Sequence, residues 1–208
     1  MKFPTLIIDD FLDDPDLIRH MALSMDYAPA PTGFFPGKRT GPLHLIEEQY
    51  FNYFCHKLFR MVPGGFEDWK IDTYFQLIDP FINEAGEIDP DLNWGWVHTD
   101  GKSCDLAGIL YLNPTANLDA GTSVFRSATP GIDPPDIGPK REFFKTNKGN
   151  KAIADSIKNN RAQFTEVTRI NNVYNRLAYY DGQDYHAAGN LITGPEPRLT
   201  QVFFARKI

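Results

Sequence analysis

The chain of 208 residues is long enough for one well-packed domain and short for two, so we expect a single domain. Its 21 basic and 27 acidic residues give a net charge of −6, which provides no overall positive field for nucleic acid or an anionic membrane surface. Cys55 and Cys104 lack metal-site spacing and are too few for a disulfide-stapled scaffold. Without a signal-like or membrane-spanning segment, the sequence predicts a soluble cytoplasmic protein.

The N-terminal third has mainly helical patterns. A short strand is predicted over residues 5–8, and Asp14-Pro15-Asp16 is typical of a helix start with an N-cap and a proline in the first turn. A stretch rich in proline and glycine, 29–42, predicts a surface loop. A second amphipathic helix is expected over about 45–61, ending before Pro63-Gly64-Gly65. The apolar faces of the two helices are formed by Leu17, Ile18, Met21 and Met25, and by Ile46, Tyr50, Phe54 and Leu58.

Beyond residue 68 the period changes from helical to two, which indicates strands. Candidates are residues 69–77, 94–98, 106–112, 122–126, 164–170, 173–180 and 199–205. Asn171-Asn172 predicts a hairpin turn between two of them, because asparagine tolerates positive φ. Helices followed by many short strands favour a sandwich or barrel with helices packed on one side.

Two stretches are interpreted as insertions in this framework. Residues 79–91 are acidic and irregular. Residues 129–139 are proline-rich and lead into a basic segment, 140–161. We expect the basic side chains to form a solvated face, although contact with an anionic substrate is the alternative. They are Lys140, Arg141, Lys145, Lys148, Lys151, Lys158 and Arg161, against Glu142 and Asp155.

The chemistry-bearing motif is His98-Thr99-Asp100. Residues two apart in an extended chain project to the same side, so this imidazole and carboxylate form half of a metal site. His186, just past a predicted strand, is the candidate third ligand, whereas His20, His44 and His56 are interpreted as surface or packing residues. Two histidines and one carboxylate on one face form the facial triad of non-haem Fe(II) oxygenases.

Twelve residues after His186, Arg198 enters the last predicted strand. Arg198 and Thr200 are expected on one face, which aims a guanidinium fork and a hydroxyl at a single acceptor. That pairing suits a carboxylate held by two hydrogen bonds. A buried arginine needs an anion, which a cosubstrate carboxylate supplies.

The order and spacing of these motifs resemble the 2-oxoglutarate and Fe(II)-dependent oxygenases, particularly their prolyl-hydroxylase-like branch. The resemblance runs from about residue 94 to residue 204. It covers His98-Thr99-Asp100, GILYLN, GTSVF, LAYYD and RLTQVFF. The N-terminal IIDDFLDDPDLI is similar to the strand and helix that open members of the family.

The resemblance implies a double-stranded β-helix, a distorted jelly roll. Residues 1–208 would form one oxygenase domain, with helical support over about 1–65 and the jelly-roll core over about 66–208. Residues 129–162 would be a lid or a surface insertion.

The resemblance also implies a catalytic set of His98, Asp100, His186 and Arg198. The first three would bind Fe(II), and Arg198 with Thr200 would bind the distal carboxylate of 2-oxoglutarate. With O2, the implied reaction hydroxylates an unactivated C–H of a protein side chain or a small molecule and releases succinate and CO2. Because halogenating relatives lack the carboxylate ligand, Asp100 favours hydroxylation.

Two positions depart from the prolyl-hydroxylase pattern. Its anchoring lysine is replaced by Arg198, an arginine that other branches use. Its cosubstrate-binding tyrosine aligns with Leu110, so Tyr111 is expected on the opposite face of its strand and outside the site. Trp94 and Trp96 are interpreted as core residues rather than as a substrate wall, and Cys104 as a small buried hydrophobic residue.

Three alternatives remain open. A nucleic-acid demethylase is disfavoured because the last strand lacks a second arginine in the usual arrangement and the net charge is negative. In a cupin, the stretch that starts at His186 would be the second histidine motif, but a paired His-x-His with a following glutamate is absent. In a non-enzymatic jelly-roll binding module, the triad would be structural, and Arg198 would lack an evident partner.

Overall fold

The computed structural model describes residues 2–31, 34–62, 69–127 and 138–208, with the side chains of residues 138 and 139 left out. Two antiparallel sheets pack together. The strands are β1 (Leu6–Ile8), β2 (Ala28–Pro29), β3 (Lys38–Arg39), β4 (Trp69–Ile78), β5 (Leu106–Tyr111), β6 (Thr122–Ser127), β7 (Phe164–Ile170), β8 (Leu177–Asp181), β9 (Tyr185–Ala188) and β10 (Arg198–Lys207). The helices are α1 (Pro15–Leu23), α2 (Leu43–Ile46), α3 (Glu48–Phe59), α4 (Gly138–Thr146) and α5 (Lys151–Arg161).

The large sheet has the order β1-β8-β5-β10-β4-β3-β2, and the small sheet has the order β7-β6-β9. Because side chains alternate along a strand, each strand of the large sheet has an outer and an inner face. On β10, Leu199 and Phe203 face outward into a core shared with α1 and α3. Val202 faces inward, where it meets Val124 and Ile170 of the small sheet. The expected mainly β fold, a double-stranded β-helix with N-terminal helices, is confirmed; α4 and α5, however, pack away from this outer core.

The predicted start of the first helix is correct, whereas the predicted apolar faces of both helices are partly wrong. Asp14 caps α1, and its carboxylate accepts a hydrogen bond from the Leu17 backbone N–H, as expected. The predicted apolar face is wrong at Leu17, which is 62% exposed. The second predicted helix is divided at Glu47, whose φ of −145° leaves the helical region. Ile46 therefore lies on the short α2 and is 46% exposed.

Two predictions about strand connections are wrong. The stretch 29–42 is not wholly a loop, because β2 and β3 form a short hairpin that extends the large sheet at β4. Asn171-Asn172 does not close a hairpin, since β7 pairs with β6 while β8 pairs with β1 and β5. That connection crosses from the small sheet to the large one. The predicted helix stop at residues 63–65 lies outside the described residues.

The predicted strand 94–98 is an extended segment beside β9 rather than a regular strand. It is joined to β9 and the residues after it by isolated bridges at Trp94 and His98. Between them, the backbone of Gly95 approaches Ala188 so closely that a Cβ on Gly95 would lie 2.7 Å from the Ala188 nitrogen. Only glycine permits this approach, which brings the segment against β9.

The helices α4 and α5 pack beside this segment. Phe143 and Phe144 of α4 form an aromatic cluster with Phe81 and Trp96. Of the seven basic residues in 140–161, five are exposed as expected: Arg141, Lys145, Lys148, Lys151 and Lys158. Lys140 and Arg161 are not, and they lie over aromatic rings. The assignment of 129–162 as a lid or a surface insertion stays a prediction, and most of residues 129–139 lie outside the described part.

Within the described ranges, no helix combines the length and the apolar character needed to cross a bilayer.

Candidate functional site

A backbone ladder places His98 and His186 side by side. The His98 N–H donates to the His186 carbonyl at 3.0 Å, and the His186 N–H donates to the His98 carbonyl at 2.9 Å. Residues that exchange both bonds in this way are directly opposite each other, and their side chains project from the same face. The two imidazole rings consequently lie with their centroids 4.5 Å apart.

Asp100 follows two residues later, and its N–H donates to the carbonyl of Gly182, in the turn between β8 and β9, at 3.0 Å. Its carboxylate reaches both imidazoles. Asp100 Oδ2 lies 3.4 Å from His186 Nε2, and Oδ1 lies 4.0 Å from His98 Nε2. One potential ligand atom from each of the three residues lies within 4.8 Å of the others. The structure therefore brings the three sequence-predicted ligands together.

The hydrogen bonds of these side chains fit a bound divalent metal. Nδ1 of His98 lies 2.8 Å from the Trp96 carbonyl, and Nδ1 of His186 lies 2.9 Å from the Asp184 carbonyl. A carbonyl only accepts, so each Nδ1 carries the proton and each Nε2 presents a lone pair toward the cluster. Burial, with His186 adding to it, holds the pKa of His98 well below its usual range, which favours the neutral, ligating form.

Asp100 provides the negative charge that such an ion requires. Its Oδ2 atom is buried and has no hydrogen-bond partner among the described residues. A buried carboxylate oxygen without a donor is unfavourable unless a cation contacts it. The donor set of two imidazoles and one carboxylate also matches the preference of Fe(II).

Arg198 and Thr200 lie on the inner face of β10, as predicted. Arg198 is 3% exposed, and it donates from Nε to the Ala120 carbonyl at 3.1 Å and from Nη2 to the Gly121 carbonyl at 3.5 Å. No described carboxylate pairs with it, and burial lowers its pKa. The Thr200 hydroxyl oxygen is buried without a described partner. This edge of the site thus has a cation and a hydroxyl available to an anionic ligand.

The structure corrects the expectation for Tyr111. Tyr111 pairs with Thr200 across the β5–β10 ladder and lies on the inner face, whereas Leu110 packs into the outer core. The Tyr111 hydroxyl donates to Thr122 Oγ1 at 2.9 Å, and its ring centre lies 5.6 Å from the Arg198 guanidinium carbon. The alignment was wrong by one residue, which in a strand exchanges the two faces.

His98, Asp100, His186 and Arg198 line a cavity of about 370 Å³, and so does Thr122, which accepts the hydrogen bond from Tyr111. Trp94 and Trp96 line the cavity and also pack against neighbouring apolar side chains. They are therefore both core residues, as expected, and part of the cavity wall. Cys104 is a buried structural residue, as expected. Its thiol donates to the Leu106 carbonyl at 3.4 Å, and burial raises its pKa to about 12.

The cavity also contains two cations that the sequence analysis did not assign to the site. Arg39 comes from the stretch interpreted as a loop, and Lys140 from the segment interpreted as a solvated face. Their charge was visible in the sequence, but no pattern indicated which cations face inward. The pairing of Arg39 with Gln76 across β3 and β4 is a long-range feature that local patterns do not contain.

Comparison with solved structures supports the assignment of the fold. A prolyl-4-hydroxylase from Pseudomonas putida is 14% identical with a TM-score of 0.54, and the match covers 98% of this chain and 92% of that chain. HygX from Streptomyces hygroscopicus, with nickel and 2-oxoglutarate bound, is 12% identical with a TM-score of 0.59, over 98% and 82%. The resemblance to 2-oxoglutarate oxygenases of the prolyl-hydroxylase-like branch is confirmed at the level of the fold.

A third similar structure is a prolyl hydroxylase from Trichoplax adhaerens in complex with a hypoxia inducible factor peptide fragment. It is 11% identical with a TM-score of 0.52, and the match covers 98% of this chain and 83% of that chain. A comparison with curated protein sequences finds no significant match.

A family model matches the central part of the chain. It matches residues 87–196, which include His98, Asp100 and His186 and end two residues before Arg198. Because the match spans more than half of the chain, the chain belongs to this family, described as "Family of unknown function (DUF6445)".

Proposed function

We propose that the protein is an Fe(II)- and 2-oxoglutarate-dependent oxygenase. It hydroxylates an unactivated C–H of a small molecule or a protein side chain and releases succinate and CO2. One observation carries the proposal: three convergent metal-ligand side chains and a buried arginine without a described carboxylate partner border the same cavity. A non-enzymatic role for the triad leaves both the Arg198 charge and Asp100 Oδ2 without a partner among the described residues.

His98 Nε2, His186 Nε2 and one Asp100 oxygen would hold the iron. Their Nδ1–H···carbonyl bonds fix each imidazole ring, so the lone pairs are oriented before the ion arrives. Iron held by three protein ligands keeps open positions for the cosubstrate and O2, and it supplies the oxygen chemistry. HygX, which has the same fold, holds nickel and 2-oxoglutarate, and this supports the assignment of both groups.

Arg198 would bind the distal carboxylate of 2-oxoglutarate. Two backbone carbonyls hold the guanidinium on one side, so its remaining N–H groups are oriented before the ligand binds. The Thr200 hydroxyl would donate to the same carboxylate. Tyr111 lies beside the guanidinium, and its hydroxyl is fixed by Thr122, which holds this edge of the cavity in place.

The apolar lining would keep the reaction away from water. Phe81, Phe143 and Trp96 pack against one another at the cavity wall. A dry cavity strengthens the interactions of Arg198 and Asp100 with charged ligands, because little solvent screens them.

The test is an anaerobic titration of the metal-free protein with Fe(II) and then 2-oxoglutarate, followed by visible absorption. We expect a metal-to-ligand charge-transfer band that requires both components, disappears in Asp100→Ala and persists in His20→Ala, a variant of an exposed histidine on α1. A folded wild-type protein that gives no band would contradict the proposal and favour a cupin-like metal site or a binding module.

A further inference from the structure

Arg39 and Lys140 line the cavity but take no part in the proposed iron and 2-oxoglutarate sites. We propose that together they bind an oxyanion of the primary substrate, which is a small molecule with a carboxylate or phosphate on an apolar body. This inference rests on the proposed function for the reaction and adds the chemical class of the substrate.

Arg39 is held in a defined orientation. Its Nε donates to Gln76 Oε1 at 3.1 Å, and Gln76 Nε2 in turn donates to the Pro36 carbonyl at 2.7 Å. The guanidinium carbon lies 4.1 Å from the centre of the Phe35 ring, with Phe204 and Tyr74 at 5.3 and 5.5 Å. Only Nε has a hydrogen-bond acceptor among the described residues. The terminal fork is therefore positioned for a planar or tetrahedral oxyanion.

Lys140 provides the second charge, from helix α4. Its Nζ lies 5.5 Å from the Phe144 ring centre and 5.7 Å from that of Trp96, and no described carboxylate forms an ion pair with it. Burial lowers the pKa of Lys140 to about 8 and that of Arg39 to about 10, while Asp100 opposes both shifts. Aromatic contacts compensate only part of the lost hydration of these cations, so an anion between them would be favourable.

The charges of the cavity are consistent with a substrate anion. Asp100 is the one carboxylate among the described residues that line the cavity. In the proposed complex, the charges of Fe(II) and Arg198 balance Asp100 and the two carboxylates of 2-oxoglutarate. Arg39 and Lys140 then remain as two positive charges without counterions in the described part of the chain, which favours one further anionic ligand and disfavours a cationic one.

The shape and polarity of the cavity favour a small molecule. A volume of about 370 Å³ accommodates 2-oxoglutarate and a modest second ligand. The wall next to Lys140 is formed by Trp96, Phe143 and Phe144, which provide contact area for an apolar body. The protein as a whole is acidic, so attraction of an anion depends on these two side chains rather than on net charge.

The inference is tested by isothermal titration calorimetry, which measures the dissociation constants of four probes for the protein saturated with Ni(II) and 2-oxoglutarate. The probes are 3-phenylpropionate, phenyl phosphate, the neutral 3-phenylpropionamide and the cationic 3-phenylpropylamine. We expect at least one acid to bind about tenfold or more tightly than the amide, because charge-assisted hydrogen bonds replace neutral ones. The ratio between the two acids then distinguishes a carboxylate from a phosphate substrate.

Variants of Arg39 and Lys140 test whether these two side chains cause the preference for an acid over the amide. Arg39→Met and Lys140→Met remove the charge and keep most of the apolar stem, and each should reduce the preference for the acid about tenfold. Lys38→Met and Lys145→Met are matched controls, because Lys38 adjoins Arg39 and the exposed Lys145 is on the same helix as Lys140. Both controls should retain the wild-type preference. Equal affinity for acid and amide, including no measurable binding of either, would overturn the inference.

Affinity for 2-oxoglutarate separates this inference from the proposed function. Arg39→Met and Lys140→Met should leave the dissociation constant of 2-oxoglutarate within about twofold of wild type. A loss as large as that of an Arg198 variant would reassign the cation to the cosubstrate and overturn the inference. A charge-transfer band without acid preference would contradict this inference alone, whereas acid preference without the band would contradict the proposed function alone.

Discussion

The two faces of β10 differ in the hydrogen bonding of their buried polar side chains. Gln201 faces the helices and is fully buried, and both ends of its amide are satisfied. Its oxygen accepts from the Tyr50 hydroxyl, and its nitrogen donates to Thr73 Oγ1 at 3.0 Å. Thr200, one residue earlier on the cavity face, is equally buried, but its hydroxyl oxygen has no described partner. On this strand, the amide of Gln201 is hydrogen-bonded within the protein, whereas the hydroxyl of Thr200 is available to a ligand.

This contrast separates groups that stabilise the fold from groups that serve a ligand. An unsatisfied buried polar atom is unfavourable, and in a folded protein such atoms are uncommon unless something else binds them. Five buried side-chain polar atoms lack a partner among the described residues. Thr200 Oγ1 and Asp100 Oδ2 belong to the proposed site, and the others are Arg19 Nε, Trp69 Nε1 and Asn172 Oδ1. The unpaired charge of Arg198 follows the same rule. We therefore expect substitutions on the cavity face to affect ligand binding and substitutions on the outer face to affect stability.

The largest effect is expected for Asp100→Ala. Loss of the carboxylate ligand should reduce 2-oxoglutarate turnover more than about 100-fold, because the metal loses its anionic protein ligand. The free energy of unfolding of the metal-free protein should fall by no more than about 1 kcal/mol, since the buried oxygen Oδ2 has no hydrogen-bond donor among the described residues. Assays of uncoupled 2-oxoglutarate turnover and urea denaturation measure the two quantities. Full turnover in this variant, or in His186→Ala, would exclude the ligand assignment.

Arg198→Met should mainly raise the KM for 2-oxoglutarate, by about 30-fold or more. The substitution removes the cation that receives the distal carboxylate but leaves the metal ligands in place. Steady-state kinetics at saturating metal separates KM from kcat. Arg176→Met is the matched control, because Arg176 pairs with Asp9 outside the cavity. An unchanged KM in Arg198→Met would require a different anchor for the cosubstrate.

A matched pair on β10 sharpens the comparison of the two faces. Gln201→Leu should lower the free energy of unfolding by about 1–3 kcal/mol, because the buried Tyr50 hydroxyl loses its acceptor. Thr200→Val should leave stability within about 1 kcal/mol of wild type and raise the KM for 2-oxoglutarate severalfold. Urea denaturation and kinetics on both variants test this.

The double variant Tyr50→Phe with Gln201→Leu provides the control for that pair. Removing both partners leaves no unsatisfied hydroxyl at this contact, so part of the lost stability should return. If Thr200→Val destabilised the protein as much as Gln201→Leu, the two faces would not differ in the proposed way.

The sequence alone predicted those parts of the site that depend on the alternation of side chains along one extended segment. His98 and Asp100 are two residues apart, as are Arg198 and Thr200, so extended backbone alone aligns each pair. The capped start of α1 at Asp14 is local in the same sense. Motif order then indicated that His186 would complete the cluster. These predictions required no knowledge of which strands pair.

Features that depend on strand pairing were missed or misassigned. Arg39 faces the cavity only because a two-residue strand pairs with β4 opposite Gln76. Lys140 lies over Trp96 because α4 packs beside the extended segment that carries His98. The face on which Tyr111 lies depends on the register of β5 against β10, and an alignment in error by one residue assigns it to the opposite face. The local pattern does not contain these long-range contacts.

Tyr111→Phe tests the corrected register with the smallest expected effect. The hydroxyl donates to Thr122 beside Arg198, so its loss should raise the KM for 2-oxoglutarate about two- to fivefold and lower stability by about 1 kcal/mol. Tyr179→Phe is the control, because Tyr179 faces the outer core and its hydroxyl donates to the Met61 carbonyl. It should lose similar stability with no change in KM. A change in KM in Tyr179→Phe but not in Tyr111→Phe would indicate that the cosubstrate contacts the other face of the sheet.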